Sequence, residues 1–346
     1  MNEEKKVSKK PILVFTQPID RYFGFQIHMY VESCIEAGFD EERIHALMYV
    51  PKGRDRNIEL WNKIQACYPK LKFFFYEDKG IQQLLGIYLP VLRPHVLWQH
   101  FQAFPELEKE TIIYTDCDIL WTSPPDIEKF YDDDVCYVSD AKSYLNVDYW
   151  NSKIKDILPE KQEEAKSRDF LEEICNIVGI PKSKAIENNN NTGGVQYILK
   201  NMNASFWKKI QEDVISIRLH LQNVNKEFYK DESAGIQGWC ADLWAIQFNL
   251  WLRGQETKIV PELAFAWATD PLDKLKTHTI FHNAGITDAM QWGVPRFYKG
   301  KYHRGEDPTK DPHLNVVLNN EESKKTCTWF YANKLKELSN KYKIDY

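Results

Sequence analysis

Four short runs rich in β-branched and aromatic residues punctuate the first third of the chain: Pro11 to Thr16, Ile44 to Val50, Leu71 to Tyr76 and Thr111 to Thr115. Stretches with helical spacing separate them. Tyr22 to Ala37 is closed by Gly38, the polar turn Pro51 to Asn57 opens the next, and Leu84 to Phe104 is interrupted by Pro90 and Pro94. Parallel strands need long crossover connections, and helices are the usual way to supply them while covering both sheet faces. The alternation therefore predicts an α/β fold, a Rossmann-like doubly wound, mostly parallel sheet flanked by helices. Asp134 to Ser139, Lys258 to Val260 and His278 to His282 read as further strands, with helices over 204–226 and 240–253. Residues 1–300 are expected to form one domain with a solvated, charge-rich helical excursion near 150–180, followed by a polar tail over 301–346.

The fourth run ends in Tyr114-Thr-Asp-Cys-Asp-Ile-Leu-Trp121, which delivers Asp116 and Asp118 one residue apart. Residues i and i+2 of an extended chain share a face, so both carboxylates are expected to converge where the strand ends. Open α/β sheets bind ligands outside the carboxyl ends of their strands. Two adjacent anions repel unless a cation lies between them. A divalent metal that holds phosphate is the economical reading, although Asp is also a common turn residue.

Composition narrows the class. The chain has 346 residues, 43% apolar and 27% charged, enough to bury a core and solvate a surface. Its formal charge of −5 gives no support to a nucleic-acid partner. Seven cysteines form no C-x-x-C pair and leave one odd, which favours reduced thiols in the cytoplasm over a disulfide scaffold. No run of 18 apolar residues is present, so no transmembrane segment is expected.

Four later constellations carry possible chemistry. His282, in Thr279-Ile-Phe-His-Asn-Ala-Gly285, is a candidate third ligand for the carboxylate pair; imidazole with carboxylates suits manganese or a related ion better than calcium. Asn191-Thr-Gly-Gly194 offers two glycines, Gly193 and Gly194, that let backbone approach a ligand, or that simply make a turn. Asp242, in the first turn of an otherwise apolar helix, either complements the helix dipole or faces a reaction centre. Arg296, Lys299 and Lys301 lie in a glycine-flanked basic loop able to fold over a diphosphate.

Together Asp116-Cys-Asp118, Asn191-Thr-Gly-Gly194 and His282-Asn-Ala-Gly285 resemble the metal-dependent glycosyltransferases of the A-type (nucleotide-diphospho-sugar transferase) fold. The resemblance spans about residues 11 to 300. It implies a nucleotide-sugar-binding catalytic domain in which Asp116, Asp118 and His282 hold Mn2+ or Mg2+, and Asp116 also touches the donor. Thr16 and Gln17 would meet the nucleotide. Asn191, Gly193, Gly194 and Asp242 would line the sugar and acceptor pocket, with Asn191 and Asp242 catalytic. The branch with a late H-x-x-G-x-x-K pattern is most similar and implies retention of anomeric configuration; here Asp288 stands where that Lys would be, so Arg296, Lys299 or Lys301 must compensate. The implied reaction moves a sugar from a nucleotide-diphospho-sugar to a hydroxyl on a glycan, protein or small molecule. The alternatives are a sugar nucleotidyltransferase, disfavoured because Thr16 to Gly24 is not a basic glycine-rich loop, and a non-catalytic carbohydrate-binding module.

Overall fold

A computed structural model describes residues 10–55 and 58–346. The expected polar turn is described only to Asp55, since Arg56 and Asn57 lie outside these residues. Among the described residues ten strands form two sheets: β1 (Ile12–Pro18), β2 (Ile44–Val50), β3 (Lys72–Glu77), β4 (Ile112–Tyr114), β5 (Ile119–Trp121), β6 (Cys136–Asp140), β7 (Gly193–Leu199), β8 (Thr257–Ile259), β9 (Phe265–Trp267) and β10 (Ile280–His282). The larger is a mixed, mostly parallel, seven-stranded sheet flanked by helices, in the order β3-β2-β1-β4-β7-β6-β8. β1 pairs parallel with β2, and β2 with β3, whereas β6 runs antiparallel to β7.

Contacts cluster into two units. One comprises Asp78–Ile113 and Phe130–Pro261; the other comprises Lys10–Glu77, Tyr114–Lys129 and Glu262–Tyr346. In the second unit β1 buries Ile12, Leu13, Val14 and Phe15 on both faces, as a covered parallel strand must. Its smaller sheet, β5-β10-β9, consists of strands of three residues each.

The segment expected to be a polar tail is packed. Helices Pro312–Asn319 and Cys327–Tyr342 bury Leu314, Val317, Tyr331, Leu335 and Leu338. These residues recur at helical spacing, but intervening Lys, Glu and Asn dilute the stripe below recognition in the sequence. The excursion near 150–180 is likewise only partly solvated. Helix Phe170–Val178, in the first unit, buries Phe170, Leu171, Ile174, Cys175 and Val178 and ends on Gly179 in the left-handed region at φ 83°.

Candidate metal and substrate site

Asp116 and Asp118 do not sit on a strand. They lie in the connection between β4 and β5, with Asp118 in a turn, so period-two alternation is not what brings them together. Pairing between β5 and β10 completes the cluster. His282 lies opposite Ile119 in this antiparallel pair, and the Asn283 amide donates to the Asp118 carbonyl at 2.9 Å. That register sets the His282 ring beside the Asp118 carboxylate, with Nε2 3.4 Å from Oδ1. The ring is stacked on Trp267 at 5.5 Å and meets the edge of Phe265 at 5.2 Å.

One ligand atom from each of Asp116, Asp118 and His282 falls within 4.8 Å of the others. Oxygens bound to one small divalent ion at roughly 2.1 Å lie about 3 to 4 Å apart, so the three donors need little adjustment to share an ion. Asp118 Oδ1 is buried and accepts no hydrogen bond. A buried carboxylate oxygen left without a donor is costly, and a cation at that position satisfies it. The residues therefore fit a divalent metal.

Lys299 completes the electrostatics. It follows the buried Phe297, whose ring packs against Phe25, Tyr302 and Tyr331 and whose amide donates to Thr328 Oγ1 at 3.0 Å. The basic loop is thus anchored at this point. The Lys299 ammonium pairs with Asp118 Oδ2, the two side chains being 24% and 13% exposed. Burial by itself pushes the Asp118 carboxyl upward, but Lys299 and then His282 outweigh it and hold the group well below the ordinary carboxylate range. Burial also disfavours the charged form of Lys299, yet Asp118 prevails and its ammonium is held above the usual lysine value. Tyr22 stands close enough to feel both charges; burial chiefly raises its phenol. Neither Tyr22 nor Trp267 carries a motif that would have marked it.

The other expected residues separate into kinds. Thr16 and Gln17 are buried near the carboxyl end of β1, and Thr16 Oγ1 has no hydrogen-bond partner. Arg296 is 5% exposed, and its Nε and Nη1 also lack partners. Burial lowers its guanidinium, and its cationic face lies 6.0 Å from the Trp292 ring. A buried cation without a carboxylate suits an anionic ligand. Lys301 departs from expectation: its ammonium pairs with Asp311 at 2.6 Å, and Asp311 also caps helix Pro312–Asn319. Asp288 is a turn residue that accepts from the Met290 amide at 2.7 Å.

In the first unit, β7 and helix Ala241–Leu252 meet. The Gly193 amide donates to Gln247 Oε1 at 2.8 Å. Asn191 forms part of a 3-10 turn, and its carbonyl accepts from Thr257 Oγ1 at 3.2 Å. Both glycines have a packing reason. A Cβ on Gly193 would come within 2.2 Å of Val138 Cγ2 and 2.4 Å of the Ser139 carbonyl; one on Gly194 would lie 2.9 Å from the Tyr197 hydroxyl. The β6–β7 register slips between Val138 and Ser139, and Val195 adopts φ 73°, a strained value for a β-branched residue. A Gly193→Ala protein is expected to lose about 1–3 kcal/mol of stability, read as a lower urea midpoint at unchanged slope. An unchanged midpoint would return the glycine to a ligand-approach role.

Asp242 is 3% exposed, and both carboxylate oxygens are engaged. Tyr88 Oη lies 2.8 Å from Oδ1, and Arg93 Nη1 donates to Oδ2 at 2.9 Å. These partners hold the carboxylate in place and leave neither oxygen open to an acceptor hydroxyl without rearrangement. Beside it Trp239 exposes 63% of its surface.

The chain is similar in structure to solved glycosyltransferases. The bifunctional glycosyltransferase WbbM is 9% identical, with a TM-score of 0.43 over 97% of this chain and 53% of that one. This chain thus spans about half of WbbM. Mouse xyloside xylosyltransferase 1 is 10% identical, with a TM-score of 0.38 over 80% and 98% of the two chains. The galactosyltransferase LgtC, solved with donor and acceptor sugar analogs, is 12% identical, with a TM-score of 0.38 over 88% and 99%. No family model and no curated protein matches the sequence.

Among the described residues no helix is long and apolar enough to cross a membrane. All seven cysteines are free.

Proposed function

We propose that the protein is a divalent-metal-dependent glycosyltransferase of the A-type fold, moving a sugar from a nucleotide-diphospho-sugar to a hydroxyl acceptor. The observation that carries this reading is the Asp116–Asp118–His282 cluster around the buried, unsatisfied Asp118 Oδ1. In it Asp116, Asp118 and His282 hold Mn2+ or Mg2+, which when bound neutralises charge on the departing diphosphate. Stacking by Trp267 fixes the imidazole orientation, so the third ligand needs little reorganisation.

Lys299 and Arg296 add positive charge for the diphosphate, and Thr16 and Gln17 receive the nucleotide. Lys299 takes the compensating role that Asp288 cannot fill; Lys301, committed to Asp311, is assigned no part in it. Asn191, Gly193, Gly194 and Asp242 serve the sugar and acceptor, with Asp242 held by Arg93 and Tyr88 as an orienting group. An orienting carboxylate agrees with retention, in which the departing phosphate takes the acceptor proton. The free cysteines support a reducing, cytoplasmic setting.

The test is hydrolysis of a panel of nucleotide sugars with Mn2+ and with EDTA. Manganese-dependent release of a nucleoside diphosphate from one donor supports the reading. Release of pyrophosphate from a nucleoside triphosphate and a sugar phosphate would make the protein a nucleotidyltransferase. Donor binding with no turnover on any acceptor would make it a binding module.

A further inference from the structure

We infer that Lys299 couples the two ligands of this site, so that the divalent ion binds tightly only together with a diphosphate. The inference rests on the reading above and concerns one residue that the carboxylate motif does not contain. Asp118 is shared: Oδ2 accepts from the Lys299 ammonium, while Oδ1 faces His282 Nε2 at 3.4 Å and has no hydrogen bond. The lysine is therefore built into the same carboxylate that the ion must use.

The charges decide the consequence. The Lys299 ammonium offsets the negative charge of the Asp118 carboxylate, which also faces the His282 imidazole. A divalent ion arriving alone adds positive charge and meets the ammonium across one shared carboxylate, in a pocket where both partners are mostly buried. Low exposure weakens solvent screening and makes this repulsion count. A diphosphate carrying two or more negative charges cancels the excess. Each ligand thus improves the site for the other, and thermodynamic linkage requires the same factor in both directions. Without the lysine, the Asp118 carboxylate is left wholly to the ion, and metal binding depends far less on the anion.

Tyr22 and Phe297 keep the device in place. The Tyr22 phenol is near enough for its charge to act on Lys299, and the buried Phe297 ring pins the loop that carries the lysine. Lys299 acts through Asp118 and through charge, so it is a positioning residue whose removal has opposite effects on the two ligands. A lysine needed only for folding would weaken both.

The experiment measures binding rather than turnover. Mn2+ is titrated into the full chain and free aqueous Mn2+ is followed by electron paramagnetic resonance. Equilibrium dialysis with uridine, guanosine, adenosine and cytidine diphosphate, in EDTA and in Mn2+, gives the nucleotide arm. Lys299→Met is expected to bind Mn2+ alone at least about tenfold more tightly than wild type, while binding of the preferred nucleotide in EDTA weakens at least about tenfold, within the usual range of coupling. Lys299→Arg keeps the charge and should stay within a few-fold of wild type in both arms. Circular dichroism melts confirm folding, and Lys299→Gln replaces the Met variant if the latter does not fold. Unchanged or weaker Mn2+ binding by the neutral variant overturns the coupling. Absence of Mn2+ binding in every protein, with and without every nucleotide, overturns the glycosyltransferase reading itself.

Discussion

An Asp118→Asn protein is expected to release nucleoside diphosphate from its donor at least about 10³-fold more slowly than wild type, even at saturating Mn2+. Removing a metal-holding carboxylate forfeits several kcal/mol of stabilisation of the leaving group, and each 1.36 kcal/mol is a factor of ten. The measurement is steady-state hydrolysis of the best donor, with metal varied to separate weak binding from slow chemistry. The same substitution strips Lys299 of its partner. Breaking a buried pair costs about 3–5 kcal/mol when the remaining charge is fully enclosed; Lys299 keeps 24% side-chain exposure, so a loss of about 2 kcal/mol is expected. The double variant Asp118→Asn, Lys299→Met separates the two effects. It should recover most of the lost stability and none of the activity. Recovery of activity along with stability would mean that Asp118 serves the fold alone, and the metal site would have to be sought elsewhere.

The sheet was legible where its strands are long and covered on both faces. β1 and β2 bury continuous apolar runs, and such runs between helical segments have few other interpretations. The strands that build the site are different. β5, β9 and β10 have three residues each, too few to display a period, and β5 follows β4 after a four-residue connection. The sequence therefore placed Asp116 and Asp118 on one face of extended chain where the fourth strand ends. Their convergence depends instead on a turn and on the β5–β10 pairing, a contact between segments about 160 residues apart.

The same distance hides the partners of single charged groups. Asp242 was visible as an acidic residue at a helix start, but Tyr88 and Arg93 stand 154 and 149 residues away along the chain. Lys299 was visible only as one of three cations in a basic loop. Phe297 decides which cation reaches Asp118, because its burial fixes the loop just before Lys299, while Lys301 is drawn to Asp311. Gly193 and Gly194 illustrate the opposite case. A glycine pair beside a turn suggested ligand approach, whereas close contact with β6 and Tyr197 already requires the missing side chains.

Acid should destabilise the protein through His28, and the size of the effect follows from where the ring sits. His28 is fully buried, with Nδ1 2.6 Å from the Tyr346 hydroxyl and Nε2 without a partner. Tyr68 and Tyr342 pack on the ring at 5.5 and 5.0 Å, Glu32 lies one turn away on the same helix, and Lys341 approaches from helix Cys327–Tyr342. Burial is the main influence and lowers the imidazole to about 4; Glu32 opposes it and Lys341 reinforces it. An unfolded histidine titrates near 6.5. Between those two values the unfolded chain holds a proton that the folded one refuses, so stability falls as pH drops through this window and levels off below it. A gap of about 2.5 units corresponds to about 3 kcal/mol. Other groups titrate in the same range, so the readout is a difference. An Asn places a hydrogen-bonding atom near Nδ1 but cannot titrate. Urea unfolding of wild type and His28→Asn at intervals from pH 7.5 to 4 should show the wild type losing about 3 kcal/mol more than the variant, most of it below pH 6.5. Parallel curves would mean that the folded ring accepts its proton as readily as the unfolded one, and that the aromatic enclosure between Tyr68, Tyr342 and Tyr346 opens to water before the protein unfolds.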